Sequence, residues 1–349
     1  MDLRRAFDSV RYSKLLDVLQ KNGLSEHFTK AIMSMYKSVK AFVKIYQETT
    51  DEFDCEKGLR QGCILSPTLF SIFINEIANK IEEFGRHGVQ LIPGLVELFI
   101  LLFADDLALM ASTPQGLQNQ LDILMETCKQ LGVEINTSKT KAMVFRNGGF
   151  LAKNEKWYLG GEQLEVVKRY VYLGFTFTTA MSTTQSSKQL ALKGKKAAFD
   201  MVRAMNKLEM ATKDIFFKLF DSQIQPSLLY ASEVWGLLIT DDHVEKVHTY
   251  ACKRFLNVSL RTPNNFVYGE LGRFPLVVNC CIRVIRYWFR LLKMDSSRLP
   301  YQAYKMLCTL DENGKKNWVT AVRQTLFRLG YGFVWLNQGV ATEQHFIAQ

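Results

Sequence analysis

Long apolar runs are missing from this sequence. The longest, residues 98–104, stops at Asp105-Asp106, far short of the roughly 20 residues a membrane helix needs. Proline is scarce, 7 in 349 residues, and glycine contributes only 21, which excludes collagen-like and low-complexity chains. The seven cysteines are odd in number, scattered and never spaced Cys-x-x-Cys, so the expectation is reduced, buried thiols in an intracellular protein. The N-terminal Met-Asp-Leu-Arg-Arg lacks the apolar core of a signal peptide, and the expected location is cytoplasm, nucleus or both.

What is there belongs to a globular chain. Hydrophobic residues make up 48% and charged residues 22%, enough to bury a core and too apolar for a disordered chain. Its length predicts two or three domains of about 150 residues each. Lys and Arg outnumber Asp and Glu by 44 to 34, a net charge of +10. An excess of that size points to a polyanionic partner, nucleic acid before membrane surface; the other reading is that it serves solubility alone.

Periodicity predicts a mixed first half. Leu15, Leu16, Val18 and Leu19 mark a short helix stopped at Asn22-Gly23, and Phe28, Ile32, Met35 and Val39 mark a second. Residues 41–46 alternate as a strand does, 58–67 read as a loop, and 68–84 as an apolar helix. Two strands, 98–103 and 107–111, flank a tight turn at residues 104–106. An amphipathic helix follows over 117–131, then a strand near 141–145 and strand-turn-strand signals at 157–161 and 170–178. The Ser/Thr-rich stretch 178–187 is the best linker candidate. Helical patterning then runs to about residue 294, and the last 55 or so residues carry no clear signal.

Charge is unevenly placed. Residues 182–220 carry eight Lys/Arg, among them Lys188, Lys193, Lys195, Lys196 and Arg203, against three acids; residues 246–290 carry eight against one. The remainder is slightly acidic, which makes the helical half the polyanion-binding half. Aromatics interleaved with the second stretch, such as Tyr250, Phe266 and Phe274, either stack on bases or belong to the core.

Asp105-Asp106 interrupts an otherwise apolar hairpin. Two adjacent carboxylates there are costly unless something positive binds, although Asp is also a common exposed turn residue. With no His or Cys nearby, a hard ion such as Mg²⁺ or Mn²⁺ fits better than zinc. Two ions about 3.5–4 Å apart can clamp a phosphoryl transfer, and carboxylates from separate strands are needed to hold both. Asp2, in Met1-Asp-Leu-Arg-Arg-Ala-Phe-Asp8, is the second source. Between them, the loop Gly58-Leu-Arg-Gln-Gly-Cys-Ile-Leu-Ser-Pro67 leads into an apolar helix, where backbone can approach a ligand and a helix N-terminus favours phosphate.

In this order, these elements resemble the reverse transcriptase of non-LTR (LINE-type) retrotransposons, with group II intron enzymes more distant. Asp2 to Asp8 resembles the family's first palm motif, implying that Asp2 binds metal and Phe7 faces the sugar, excluding ribonucleotides; the other reading of Phe7 is a core aromatic. Arg60-Gln61-Gly62 resembles the second motif, implying contacts to the incoming nucleotide and template. Phe103-Ala-Asp105-Asp106 matches the Phe/Tyr-x-Asp-Asp box, whose first Asp is a metal ligand. The run Gly132-Val-Glu-Ile-Asn136-Thr-Ser-Lys139 resembles the next motif, implying Lys139 as general acid toward the leaving pyrophosphate, against the reading of a solvated turn lysine. Tyr172-Leu173-Gly174 resembles the hairpin that grips the primer end, and Leu228-Leu-Tyr-Ala-Ser-Glu-Val-Trp-Gly236 an element of the family's thumb without an assigned role. The resemblance covers roughly residues 2–240, and Tyr268–Pro275 is similar to C-terminal sequence of some such elements.

The resemblance implies an α+β fold: a polymerase palm, an antiparallel sheet with helices on one face, followed by an all-helical thumb and helical C-terminal region. The expected division is palm with partial fingers over 1–150, primer-grip hairpin and linker over 151–181, basic helices over 182–295, and a segment without assigned role over 296–349. It implies an RNA-directed DNA polymerase using two Mg²⁺ or Mn²⁺ ions, an RNA template, a DNA primer and deoxynucleoside triphosphates, with Lys188, Lys193, Lys195, Lys196 and Arg203 on the nucleic-acid backbone. Because numbering starts one residue before Asp2, a chain shortened at its N-terminus is expected, lacking most of the fingers. The alternative is a catalytically inactive remnant that only binds nucleic acid. His248 and Cys252 stand at i, i+4, but no further ligands follow at zinc-site spacing.

Overall fold

The computed structural model describes residues 1–84, 87–146, 148–208, 212–238 and 241–339. Its contacts divide the chain into two compact units: Met1–Val144 with Gly149–Val167, and Phe145–Gly148 with Lys168–Gln349.

In the first unit, helices Tyr12–Lys21, Glu26–Tyr36, Ser66–Phe84 and Pro114–Leu131 enclose the core. Ser25 and Thr113 cap two of them by accepting from the Phe28 and Gly116 amides, and Gly132, at φ 74°, ends the last. These caps satisfy amides that a helix start otherwise leaves unpaired. Phe73, Ile77, Ile81 and Leu124 are fully buried, each contributing about 1.5–3 kcal/mol of hydrophobic stabilisation.

The strands form short two-stranded ladders rather than the single broad antiparallel sheet expected. Leu3–Arg4 pairs antiparallel with Glu134–Ile135. On its other side an isolated bridge joins Asp2 to Asp106, at the start of the Asp106–Leu109 strand, which forms a hairpin with Ile100–Phe103. One pair, Lys141–Ala142 with Glu165–Val166, is parallel. The strand expected over 41–46 is split into Lys40–Ala41 and Lys44–Ile45, each paired elsewhere. Phe42 and Val43 between them are exposed; with no layer to pack on, the alternation cannot hold a longer strand.

The second unit opens with an antiparallel hairpin, Arg169–Tyr172 with Phe175–Thr178. Beyond it the described residues form helices only, beginning with Thr184–Leu208. The linker expected at 178–187 therefore ends inside a helix. Ser186 and Ser187 are buried because Ser186 donates to the Thr176 carbonyl and Ser187 to Asp241 at 2.7 Å. Gly194 lies where that helix presses on Leu228, so close that a Cβ would overlap the leucine side chain. A five-residue π-helix, Phe220–Ile224, leads into Gln225–Leu228, where Pro226 lacks the N–H that regular helix bonding needs.

One core surrounds Phe220, Leu228, Trp235 and Ala251. Another gathers Trp288, Val319, Val322 and Leu326, and it organises the segment whose patterning is unreadable. Helices Leu299–Glu312, Trp318–Arg328 and Gly332–Leu336 form there. All seven cysteines are free; Cys128, Cys252 and Cys280 are buried, and burial pushes these three thiols up to about 12, whereas the other four are half-buried. No helix among the described residues is long and apolar enough to cross a membrane.

Candidate active site

Asp2 stands immediately before the Leu3–Arg4 strand. Besides the Asp2–Asp106 bridge, the Leu3 amide donates to the Asp105 carbonyl at 3.3 Å and the Leu107 amide to the Met1 carbonyl at 3.0 Å. Residues directly opposed across an antiparallel pair project to one face with Cβ atoms about 4.5–5.5 Å apart. Asp106, not Asp105, is thus the cross-strand partner of Asp2. Asp105 occupies the turn, after Ala104 at φ 52°. Burial, and then repulsion from Asp105, push the Asp106 carboxyl up; the Met1 ammonium and Lys139 counter this and Asp2 adds to it.

Asn136 ties the other side down. Its amide donates to the Asp2 carbonyl at 2.8 Å and its Nδ2 to Asp2 Oδ2 at 3.4 Å, while its own Oδ1 accepts from Ser138 at 2.7 Å. The resulting tight turn delivers Lys139, whose ammonium sits 3.0 Å from Asp2 Oδ2 and is 66% exposed. Asn136 is a site residue that local patterning does not single out, since its role is to bridge to Asp2, distant in sequence. Among the described residues, no three His, Cys, Asp or Glu side chains are gathered into a ready-made metal cage. The chemistry of the three carboxylates nevertheless fits a divalent cation: all donors are hard oxygens, and burial, then the neighbouring negative charge of Asp105 and Asp2, raises Asp106.

The Gly-bearing loop docks beside this strand. The Gly58 amide donates to the Val10 carbonyl at 2.9 Å and the Leu59 amide to that of Phe7 at 2.8 Å. A Cβ on Gly58 would lie 3.4 Å from the Asp8 backbone, and its φ of 103° suits glycine alone. Gln61 then donates to Asp8 Oδ1 at 3.3 Å, joining the first two motifs through Asp8, again a residue without an expected role. Arg60, Gln61 and Gly62 are exposed. Phe7 is half-buried and stacks on buried Phe70, with centroids 4.6 Å apart and planes at 17°, so its inner face belongs to the core.

A family model described as reverse transcriptase (RNA-dependent DNA polymerase) matches residues 1–177. The chain belongs to the reverse transcriptase family. It is 24% identical over 310 residues to the Retrovirus-related Pol polyprotein from type-2 retrotransposable element R2DM of Drosophila melanogaster, covering 86% of this chain and 28% of that protein. It is 26% identical over 270 residues to the RNA-directed DNA polymerase from mobile element jockey of Drosophila funebris, covering 74% and 28%. A transposon-derived protein of Caenorhabditis elegans is 34% identical over 171 residues, 46% of this chain and 57% of that one. The chain thus spans less than a third of the length of the first two of these relatives. These relatives agree with the resemblance to non-LTR retrotransposon enzymes.

The remaining predicted residues of the chain lie in the second unit. Tyr172, Leu173 and Gly174 form the end of the first hairpin. Lys188, Lys193, Lys195, Lys196 and Arg203 are exposed on the Thr184–Leu208 helix. Lys188 and Lys195 line a cleft of about 550 Å³ with His243, Lys246 and Lys253 of the His243–Phe255 helix. Arg203 lines an adjoining cleft of about 420 Å³ with Phe199, Lys207, Tyr250 and Arg254. His248 is no zinc ligand: its ring, fully buried, bonds Glu245 at 2.8 Å and accepts from Arg273 at 3.1 Å.

Proposed function

We propose that this chain is the nucleotidyl-transferring part of a retrotransposon RNA-directed DNA polymerase, with Asp2, Asp105 and Asp106 holding two Mg²⁺ (or Mn²⁺) ions. In this reading the first unit is a palm with partial fingers, and the helices of the second unit a thumb. The observation that supports it most is the Asp2–Asp106 bridge, which brings two family motifs face to face. Once bound, the ions would supply charge neutralisation for in-line attack of a primer 3′-hydroxyl on an α-phosphorus.

The chain's own residues do the positioning. Gln61, held by Asp8, and Gly62 after it present a polar edge to the incoming nucleotide and template, with Arg60 beside them. Phe7, backed by Phe70, offers an edge that a ribose 2′-hydroxyl would strike. Lys139 releases Asp2 and hands a proton to the leaving pyrophosphate. Lys188, Lys195 and Arg203, with the basic residues that face them, hold phosphates of the template–primer hybrid.

Extension of a DNA primer on an RNA template with Mg²⁺ and deoxynucleoside triphosphates tests the reading. Synthesis by the parent and none by Asp105→Ala/Asp106→Ala supports it. A parent that binds the hybrid and extends nothing overturns it in favour of the binding-only remnant.

A further inference from the structure

The element Leu228-Leu-Tyr-Ala-Ser-Glu-Val-Trp-Gly236 has no role in the account so far, yet its tyrosine touches the proposed primer grip. The hairpin Arg169–Tyr172/Phe175–Thr178 turns through two residues only, Leu173 at φ 47° and Gly174 at φ 78°. An isolated two-stranded hairpin is marginal in water, and a leucine at positive φ adds strain. Support must come from outside the hairpin. The following helix braces the second strand, Ser186 donating to the Thr176 carbonyl, and Tyr230 braces the turn: its hydroxyl donates to the Leu173 carbonyl at 2.7 Å, and its ring edge lies 3.5 Å from where a Gly174 Cβ would stand.

Tyr230 is itself held rigidly. Trp235, 1% exposed, donates its indole N–H to the Tyr230 carbonyl at 2.8 Å. Arg283 donates to the neighbouring Leu229 carbonyl at 3.1 Å, and Ala231 turns the chain at φ 56°. A buried tryptophan thus locks the backbone that aims the tyrosine, and the tyrosine locks the turn. Tyr230 is 45% exposed, which is not the burial of a core-filling residue.

We infer that Tyr230 is a positioning residue of the polymerase, setting the height of the Tyr172–Leu173–Gly174 turn so that the primer end is presented in register. The inference rests on the polymerase reading above, and two measurements on the full chain separate them. In Tyr230→Phe, which keeps the ring and loses only the hydroxyl, hydrogen exchange of the amides at 172–176 should accelerate while the helices exchange as in the parent. Single-turnover extension should fall by about tenfold to a hundredfold, with the dissociation constant for an RNA–DNA hybrid unchanged within about twofold and the melting temperature unmoved.

Unchanged exchange at the hairpin, or extension at the parental rate, overturns the inference. So does a loss of rate that is matched by an equal loss of hybrid affinity or of thermal stability, because that is what a merely structural tyrosine would give. A parent that extends no primer overturns the polymerase reading and the positioning role with it, whereas an active parent matched by Tyr230→Phe overturns this inference alone.

Discussion

Asp2 and Asp106 oppose each other across a single antiparallel bridge. The pairing is electrostatically unfavourable by itself, and the strand tolerates it because Lys139 and Asn136 both reach Asp2. In the proposed reading this like charge would receive a cation, and stability and activity should respond oppositely to its removal.

Asp106→Asn is the clearest expression of that opposition. Burial and Asp105 raise the Asp106 carboxyl, so the folded chain binds its proton more tightly than the unfolded chain. A raised acid destabilises the fold as pH climbs above the unfolded value of about 3.9. The variant should therefore melt at or above the parent's temperature at pH 7 by calorimetry while losing primer extension.

Lys139→Ala separates catalysis from the ion pair. The lysine is largely exposed, so the pair with Asp2 stabilises by no more than about 1 kcal/mol. As general acid, Lys139 would contribute on the order of 10²–10⁴-fold. Denaturant unfolding should shift little, and single-turnover extension should fall by about that factor. Equal, small effects on both would make Lys139 a surface lysine.

The basic clefts of the second unit should govern hybrid affinity through salt. Lys195→Glu with Arg203→Glu should weaken binding at least about tenfold and flatten the dependence on salt between about 50 and 200 mM, each lost phosphate contact removing close to one unit of slope. Lys193→Glu, whose side chain lies outside both clefts, should do less. Fluorescence anisotropy across that salt range is the measurement.

Glu245 should set the acid limit of the second unit. Burial pushes its carboxyl up, but hydrogen bonds from His248, Tyr268 and the Leu276 amide, at 2.8, 2.5 and 2.6 Å, outweigh burial and hold it below the usual range. A depressed acid stabilises above its unfolded value, about 4.3, and that stabilisation is lost as pH falls through the folded value. Parent stability should decline below about pH 4.3. Glu245→Gln should be less stable at pH 7 by about 2–4 kcal/mol, with a flatter decline in acid, as read from urea midpoints against pH.

Much of the site was legible along the chain. Asp105-Asp106 inside an apolar hairpin, Asp2 ahead of Phe7, and Gln61-Gly62 before an apolar helix are local arrangements of residue type, as are the Pro114 start and Gly132 stop of one helix. The C-terminal helices were not legible. In Leu299–Glu312 only Tyr304 is buried, with Leu307 and Cys308 half-buried beside it, and the Ser/Thr stretch before residue 188 reads as a linker because its hydroxyls find partners only in the fold.

Composition and local order alone determined which groups this protein owns: three carboxylates, a lysine and a glutamine in a polymerase-like succession, and a basic helical second half. Tertiary structure alone decided which of them meet. That Asp106 rather than Asp105 faces Asp2, that Asn136 and Asp8 hold the motifs together, and that Tyr230 braces Leu173 all depend on hydrogen bonds between residues distant in sequence. Such contacts exist only after packing has met the entropy cost of closing the loops between them, and no periodicity in the chain encodes that.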